Sequence, residues 1–219
     1  MELNQKKINF LGDSITEGVG ASSPENCFVS VFGRMTGSTV RNYGIGGTRI
    51  ARVRHGLSRS PRWDLNFLDR VEEMDADADV IVIFGGTNDF GHGDGVLGSP
   101  EECEDEYTFY GALHSLIRRV MDRYPAARVV MMTPLHRKSE LVTVNELDLP
   151  TEPLVSYVNA IREVAALYSV PVLDLWSMSG IAPRDPKNSA LYTTDGLHPN
   201  DLGAERIAVL LKQLLTNTL

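Results

Sequence analysis

The sequence is short of several things, and each shortage closes off a class of function. Only two cysteines, Cys27 and Cys103, occur in 219 residues. Two isolated thiols make neither a disulfide framework nor a zinc cluster. Positive charge is scarce: 21 Lys and Arg stand against 29 Asp and Glu, for a formal net charge of -8 at pH 7. Phosphate binding wants a cationic surplus, as does adsorption to an anionic membrane, so neither nucleic acid nor membrane is expected as a partner. No apolar run approaches the roughly 20 residues that span a bilayer. Met1 to Phe10 reads polar and basic before a brief apolar stretch, too short for the core of a secretory signal, so the expected location is cytoplasmic. Internal repeats and low-complexity linkers are missing as well, which predicts one domain over 1–219.

What is present is an alternation of short apolar runs with helical patterns. Ile8–Leu11, Val80–Phe84, Val129–Met132 and Val172–Leu175 read as strands, with Thr39–Tyr43 a weaker one. Ile81-Val82-Ile83-Phe84 is apolar without alternation, as expected of a strand covered on both faces. Phe109, Leu113, Leu116, Ile117, Val120, Met121 and Tyr124 share one face of a long helix that Pro125 ends. Leu154, Val158, Ile161, Ala165 and Tyr168 repeat the arrangement. Ile207, Leu210, Leu211, Leu214 and Leu215 do so again, after a cap at Asn200 or Asp201. Strand-helix alternation of this kind predicts a parallel sheet with helices on both faces. Phe90–Pro100, rich in glycine, and 135–151, polar and bracketed by prolines, read as long loops of the kind that act as lids.

Open α/β sheets bind ligands outside the carboxyl ends of their strands. Four segments fall there, and each is weak alone. Ser14 suits a turn or a helix cap, Asn88-Asp89 suits a strand-to-loop corner, and Asp195-Gly196 suits a turn. The glycines at 44, 46 and 47 miss the dinucleotide-loop spacing, because Ile50 fills the place of a third glycine after Gly44 and Gly47. Taken together they supply what acyl transfer needs. Ser14 brings a hydroxyl and His198 a base that titrates near neutral pH, while Asp195, three residues earlier, orients that base. The N–H groups of Ser14 and Gly47 and the Asn88 amide are candidate donors to an oxyanion. A glycine at 47 lets a carbonyl approach the backbone closely.

In this order, Gly12-Asp13-Ser14-Ile15, Asn42-Tyr43-Gly44-Ile45-Gly46-Gly47, Gly86-Thr87-Asn88-Asp89 and Asp195-Gly196-Leu197-His198-Pro199 resemble the four blocks of the SGNH hydrolases, also called the GDSL esterase/lipase family. The resemblance runs from the first strand to the last helix. It implies a flavodoxin-like three-layer α/β/α sandwich around a parallel sheet of about five strands. It also implies Ser14 as nucleophile, Asp195 and His198 completing a triad, and Gly47 and Asn88 as oxyanion donors with the Ser14 amide. Gly47 is preferred to Gly46 because the family's glycine lies five residues after the block's Asn, here Asn42. Ile15 replaces the leucine that names the motif, a packing position. The G-x-S-x-G elbow of the α/β-hydrolases is absent around Ser14.

The expected reaction is metal-independent and cofactor-free hydrolysis of a small-molecule ester through an acyl-serine, with short acyl groups, such as O-acetyl groups on carbohydrates, as the expected substrates. A lysophospholipase or thioesterase, and a non-catalytic small-molecule binding domain on the same frame, are the rival readings. Asp13, His92 and His136 are further candidates for substrate contact; His92 otherwise reads as a turn residue and His136 as a loop histidine. Arg49, Arg52, Arg54, His55, Arg59 and Arg62 read as a solvated helix face that neutralises nearby acid, or as a holder of an anionic substrate group. The run Glu101-Glu102-Cys103-Glu104-Asp105-Glu106 reads as charge favoured at the start of the long helix rather than as a metal site. Trp63 and Trp176 read as packing residues, and Cys27 as core beside Phe28, Val31 and Phe32.

Overall fold

Why the strand segments carry apolar residues without alternation is plain once both faces of the sheet are seen to be covered. The computed structural model describes residues 3–54, 60–94 and 96–218, apart from the side chain of Thr218. Five strands, β1 (Lys7–Gly12), β2 (Thr39–Gly44), β3 (Val80–Phe84), β4 (Arg128–Met132) and β5 (Val172–Leu173), pair in parallel in the order β2-β1-β3-β4-β5. Residues of β3 alternate between two cores. Ile81 and Ile83 meet Leu11, Phe67, Leu113 and Ile161 on one side. Val80, Val82 and Phe84 meet Phe10, Phe28, Phe32 and Ile207 on the other. This is the parallel sheet with helices on both faces that the strand-helix alternation predicts, and the three-layer, flavodoxin-like sandwich that the resemblance implies.

The helices that cover the first face are α3 (Phe67–Arg70), α5 (Phe109–Arg123) and α6 (Leu154–Leu167). The second face is covered by α2 (Phe28–Thr36) and α9 (Asp201–Thr218). Short helices finish the set: α1 (Ser14–Glu17), α4 (Thr87–His92), α7 (Leu175–Met178) and α8 (Pro186–Tyr192). Caps explain the boundaries. Thr108 Oγ1 accepts from the Gly111 N–H at the start of α5, which ends at Arg123 ahead of Pro125. Asn200 Oδ1 accepts from the Gly203 N–H at 3.1 Å and starts α9. No helix among the described residues is long and apolar enough to cross a membrane.

Three expectations shift. The fifth strand stops at Leu173 instead of Leu175, because Asp174 is held by Arg162 at 2.8 Å and the Trp176 N–H turns to Thr133 Oγ1 at 3.0 Å. Phe90, Gly91 and His92 belong to α4, so the glycine-rich loop begins at Gly93. The acidic run lies ahead of α5 and not in its first turn. Glu106 instead accepts from Arg52 (2.6 Å), Ser115 (2.5 Å) and Arg119 (2.8 Å), and Asp105 pairs with Arg54 at 3.1 Å. The acid therefore offsets nearby arginines, and no His, Cys, Asp and Glu group among the described residues is arranged to hold a metal ion.

Candidate active site

Strand order decides where a crevice opens. The chain leaves β1 toward β2 on one side and leaves β3 toward β4 on the other, so the turns after β1 and β3 diverge and leave a gap between them. Gly12 and Phe84, the last residues of those strands, are register partners. Ser14 follows the first and Asn88 the second.

Ser14 is the first residue of α1, and Asp13 precedes it as the cap, its Oδ1 accepting from the Ile15 N–H at 2.9 Å. The first N–H groups of a helix have no partner within it, which leaves the Ser14 amide pointing out of the helix start. Across the gap, Ser14 Oγ lies 3.0 Å from His198 Nε2, and His198 Nδ1 lies 2.7 Å from Asp195 Oδ2. Asp195 Oδ1 accepts from the backbone N–H groups of Leu197 (2.9 Å) and His198 (2.8 Å), so one carboxylate shapes the loop and orients the ring. Partial burial favours the neutral acid at Asp195, but the His198 side chain and these two N–H groups outweigh it and hold the carboxyl below its ordinary range. The loop is braced from two sides. Lys138 N–H donates to Gly196 O at 3.0 Å. A β-carbon on Gly20 would fall 2.9 Å from His198 Cβ and 2.6 Å from Pro199 O, so only glycine lets that loop press on the histidine.

The second block supplies the facing wall. The Gly46 N–H is taken, donating to Glu17 Oε2 at 2.7 Å, whereas no acceptor meets the Gly47 N–H among the described residues. Gly47 has φ +79°, which a side chain resists. Asn88 is buried, and its Nδ2 donates one hydrogen to Thr48 O at 2.9 Å, which sets the amide plane and leaves the second hydrogen. Free N–H groups at 14 and 47, together with that amide hydrogen, form a set able to receive negative charge on a carbonyl oxygen.

Of the three further candidates, none is a freely exposed group in the groove. Asp13 is 1% exposed, and burial pushes its carboxyl up to about 7, with the Ile15 N–H and Arg70 opposing and Asp89 adding to the rise. It is a cap beneath Ser14. His92 is buried, its ring stacked on Trp63 at 4.5 Å and its Nδ1 3.1 Å from Arg49 Nη1. Burial, and then Arg49, lower its pKa to about 4. His136 sits after β4, its ring 3.8 Å from that of Trp176 and its Nδ1 2.9 Å from Glu140 Oε2.

Among the described residues of the basic stretch, Arg54 and Arg62 are exposed, and Arg62 lies in a single helical turn, Pro61–Asp64. Arg52 and Arg54 offset the acid of Glu106 and Asp105, while Arg49 departs from that solvated face. Arg49 is 1% exposed and donates to the His92 carbonyl at 2.6 Å. Arg52 pairs with Asp69 and Glu106, and Arg62 with Glu17. His55 and Arg59 lie outside the described residues.

Beneath the groove lie two charged residues, Asp89 from the third block and Arg70 from outside every block. Asp89 accepts from the Ile50 (3.1 Å) and Ala51 (2.8 Å) N–H groups, and burial lifts its carboxyl to about 6 against those bonds and Arg49. Arg70, 2% exposed, donates to Gly12 O, to Thr48 Oγ1 at 2.9 Å and to Tyr43 O, stitching the ends of β1 and β2 to the second block. A single arginine in α3 carries no sequence signal for this; only its burial identifies it.

The chain matches the family model described as GDSL-like Lipase/Acylhydrolase over residues 10–206. It is similar to a solved protein from Lactobacillus plantarum, 30% identical, with a TM-score of 0.83 and 99% of each chain covered. A lipase/acylhydrolase from Enterococcus faecalis shares the fold at 22% identity, with a TM-score of 0.66, 97% of this chain and 96% of that one covered. So does a salicylyl-acyltransferase from a tetracycline biosynthetic pathway, at 20% identity and a TM-score of 0.67, covering 98% of this chain but 55% of that one. No curated protein matches. With the family model spanning most of the chain, from the strand that leads into Ser14 to the helix that follows His198, this protein belongs to the GDSL-like lipase/acylhydrolase family.

Proposed function

We propose that the protein is a serine esterase that hydrolyses short-chain acyl esters, O-acetyl groups on carbohydrates among them, through an acyl-Ser14 intermediate. The observation that carries this reading is the continuous relay from Ser14 Oγ through His198 (3.0 Å) to Asp195 (2.7 Å), beside N–H donors left without acceptors. His198 takes the Ser14 proton as Oγ adds to the ester carbonyl. Asp195 holds the ring in the tautomer whose Nε2 accepts, and it stabilises the imidazolium that forms. Gly47, Asn88 and the Ser14 amide receive the charge on the carbonyl oxygen. His198 then returns the proton to the departing alkoxide, and water attacks the acyl-serine with His198 again as base.

The test is a series of chromogenic esters together with a fluorophosphonate label. The expected outcome is turnover of acetyl and butyryl esters and phosphonylation at Ser14. In Ser14→Ala both are lost, turnover falling by about six decades, the scale for removal of a serine nucleophile. Absence of turnover at every acyl length, with no label on Ser14, overturns the reading.

A further inference from the structure

The wall of the groove beside Gly47 is an indole. A β-carbon at position 47 would fall 2.0 Å from Cδ1 and 2.2 Å from Nε1 of Trp63, so the ring edge rests directly on the glycine backbone. That contact is built. The ring stacks on His92 with centroids 4.5 Å apart and planes at 22°. His92 in turn is gripped by the buried Arg49, whose Nη1 reaches both its Nδ1 (3.1 Å) and its carbonyl (2.6 Å). Arg49 Nη2 also lies 3.5 Å from Asp64, the residue after Trp63, so one guanidinium fixes both the ring beneath and the chain beside the indole. Trp63 itself remains half-buried, with one part of its surface left for something else to cover.

The side of the reaction centre it occupies follows from the layers. Phe67, four residues after Trp63 and the first residue of α3, is buried in one core with residues of α5. Ala204 and Ile207, which follow His198, are buried in the opposite core with α2. The two residues thus approach the sheet edge from opposite faces, with Ser14 between them: Oγ is 3.0 Å from His198 Nε2, and a β-carbon on Gly46 would lie 3.5 Å from Ser14 Cβ. A tetrahedral carbon on Ser14 Oγ has three other substituents. Its oxyanion faces the donors, and its leaving oxygen must face the proton on His198. The acyl substituent is left with the remaining direction, away from His198. The wall there is the indole that covers the Cα of Gly47, rather than the Gly47 N–H that faces the oxyanion.

We infer that Trp63 is the specificity-determining residue of the acyl side, a rigid end wall that restricts the enzyme to short acyl groups. The inference rests on the esterase reading above. A wall that cannot retreat rejects added methylenes by overlap, and each methylene in or out of such a pocket changes kcat/KM by roughly 10-fold or more.

The experiment compares kcat/KM for p-nitrophenyl acetate, butyrate, hexanoate and octanoate in wild type, Trp63→Phe and Trp63→Ala. A second series holds the acetyl group and lengthens the alcohol. The expected result is a steep fall with acyl length in wild type, a hexanoate-to-acetate ratio raised roughly 10-fold or more in Trp63→Ala, an intermediate ratio in Trp63→Phe, and an alcohol profile of unchanged shape. A uniform loss at every acyl length marks the ring as structural only and overturns the inference. A shift in the alcohol series in place of the acyl series overturns the assigned side. Should Trp63→Ala not fold, Trp63→Phe alone decides, since an unchanged acyl ratio in that variant counts against the wall. Fluorophosphonate labelling of Ser14 separates the two failures: a labelled enzyme with an unmoved acyl profile sinks only the role of Trp63, whereas an unlabelled wild type that turns over no ester sinks the esterase reading with it.

Discussion

The relay above the sheet edge and the charged frame below it are built from the same residue types and behave oppositely. Asp195 is half-exposed, and its hydrogen bonds hold it ionised. Asp13 and Asp89, 1% and 4% exposed, are pushed toward the neutral acid by burial. Arg70 sits among carbonyls, where burial lowers its pKa to about 10 against the attraction of Glu73 and Asp13. The carboxylate of the relay stands where water solvates it, and the carboxyls and the arginine of the frame are sealed. Rate and stability should therefore respond to different residues.

The largest stability effect is expected beneath the groove. Arg70→Met takes the Arg70 hydrogen bonds from Tyr43 O and Thr48 Oγ1 and one of two from Gly12 O, which keeps the Ile45 N–H at 3.1 Å. At about 1–3 kcal/mol for each buried polar group left unsatisfied, the loss should reach about 3 kcal/mol. Urea unfolding measures it; a loss under about 1 kcal/mol would erase the distinction between frame and relay. Next comes Asn88→Ala, which should cost about 2.7–4 kcal/mol of transition-state stabilisation, two to three decades in turnover, while the protein stays folded. Steady-state kinetics on a short-chain ester checks it, and unimpaired turnover in a folded variant removes Asn88 from the oxyanion set.

The last prediction concerns pH. The folded Asp13 carboxyl keeps its proton to about pH 7, whereas in the unfolded chain it loses it near its ordinary value of 3.8. Between those values the folded state binds more protons, so this group's contribution makes stability fall as pH rises, with the full penalty present above pH 7. Asp13→Asn retains an oxygen for the Ile15 N–H and removes the charge. Its melting temperature relative to wild type should rise from pH 4 to pH 8; a difference that is flat over that range would show that Asp13 does not titrate as the buried frame demands.

The strands and the long helices were legible in advance because each depends on local chemistry, and the residues of the relay because four blocks, each weak alone, together resemble a known family. Ile81 to Phe84 are apolar because both faces are covered, and Pro125 ends a helix whatever surrounds it. Asp195 and His198 sit on one loop, three residues apart. What escaped the sequence was tertiary. Arg49 looks like its neighbours Arg52 and Arg54, yet it alone of the three is sealed at 1% exposure. Glu17, three residues after Ser14, is placed to fix the Gly46 N–H only because β2 lies beside β1. Trp63 reads as packing until the glycine it rests on is seen. In each case the residue type was ordinary and the partner distant in the chain.

The relay joins residues 184 positions apart. Ser14 leaves a ribosome well before His198, and the helix after His198 shares a core with α2, the helix that follows Ser14. Until His198 has been made and docked, the hydroxyl is an ordinary unreactive serine. Reactivity in this molecule is a report of closure between two distant segments, so ester turnover should return on refolding only after the helical signal has recovered.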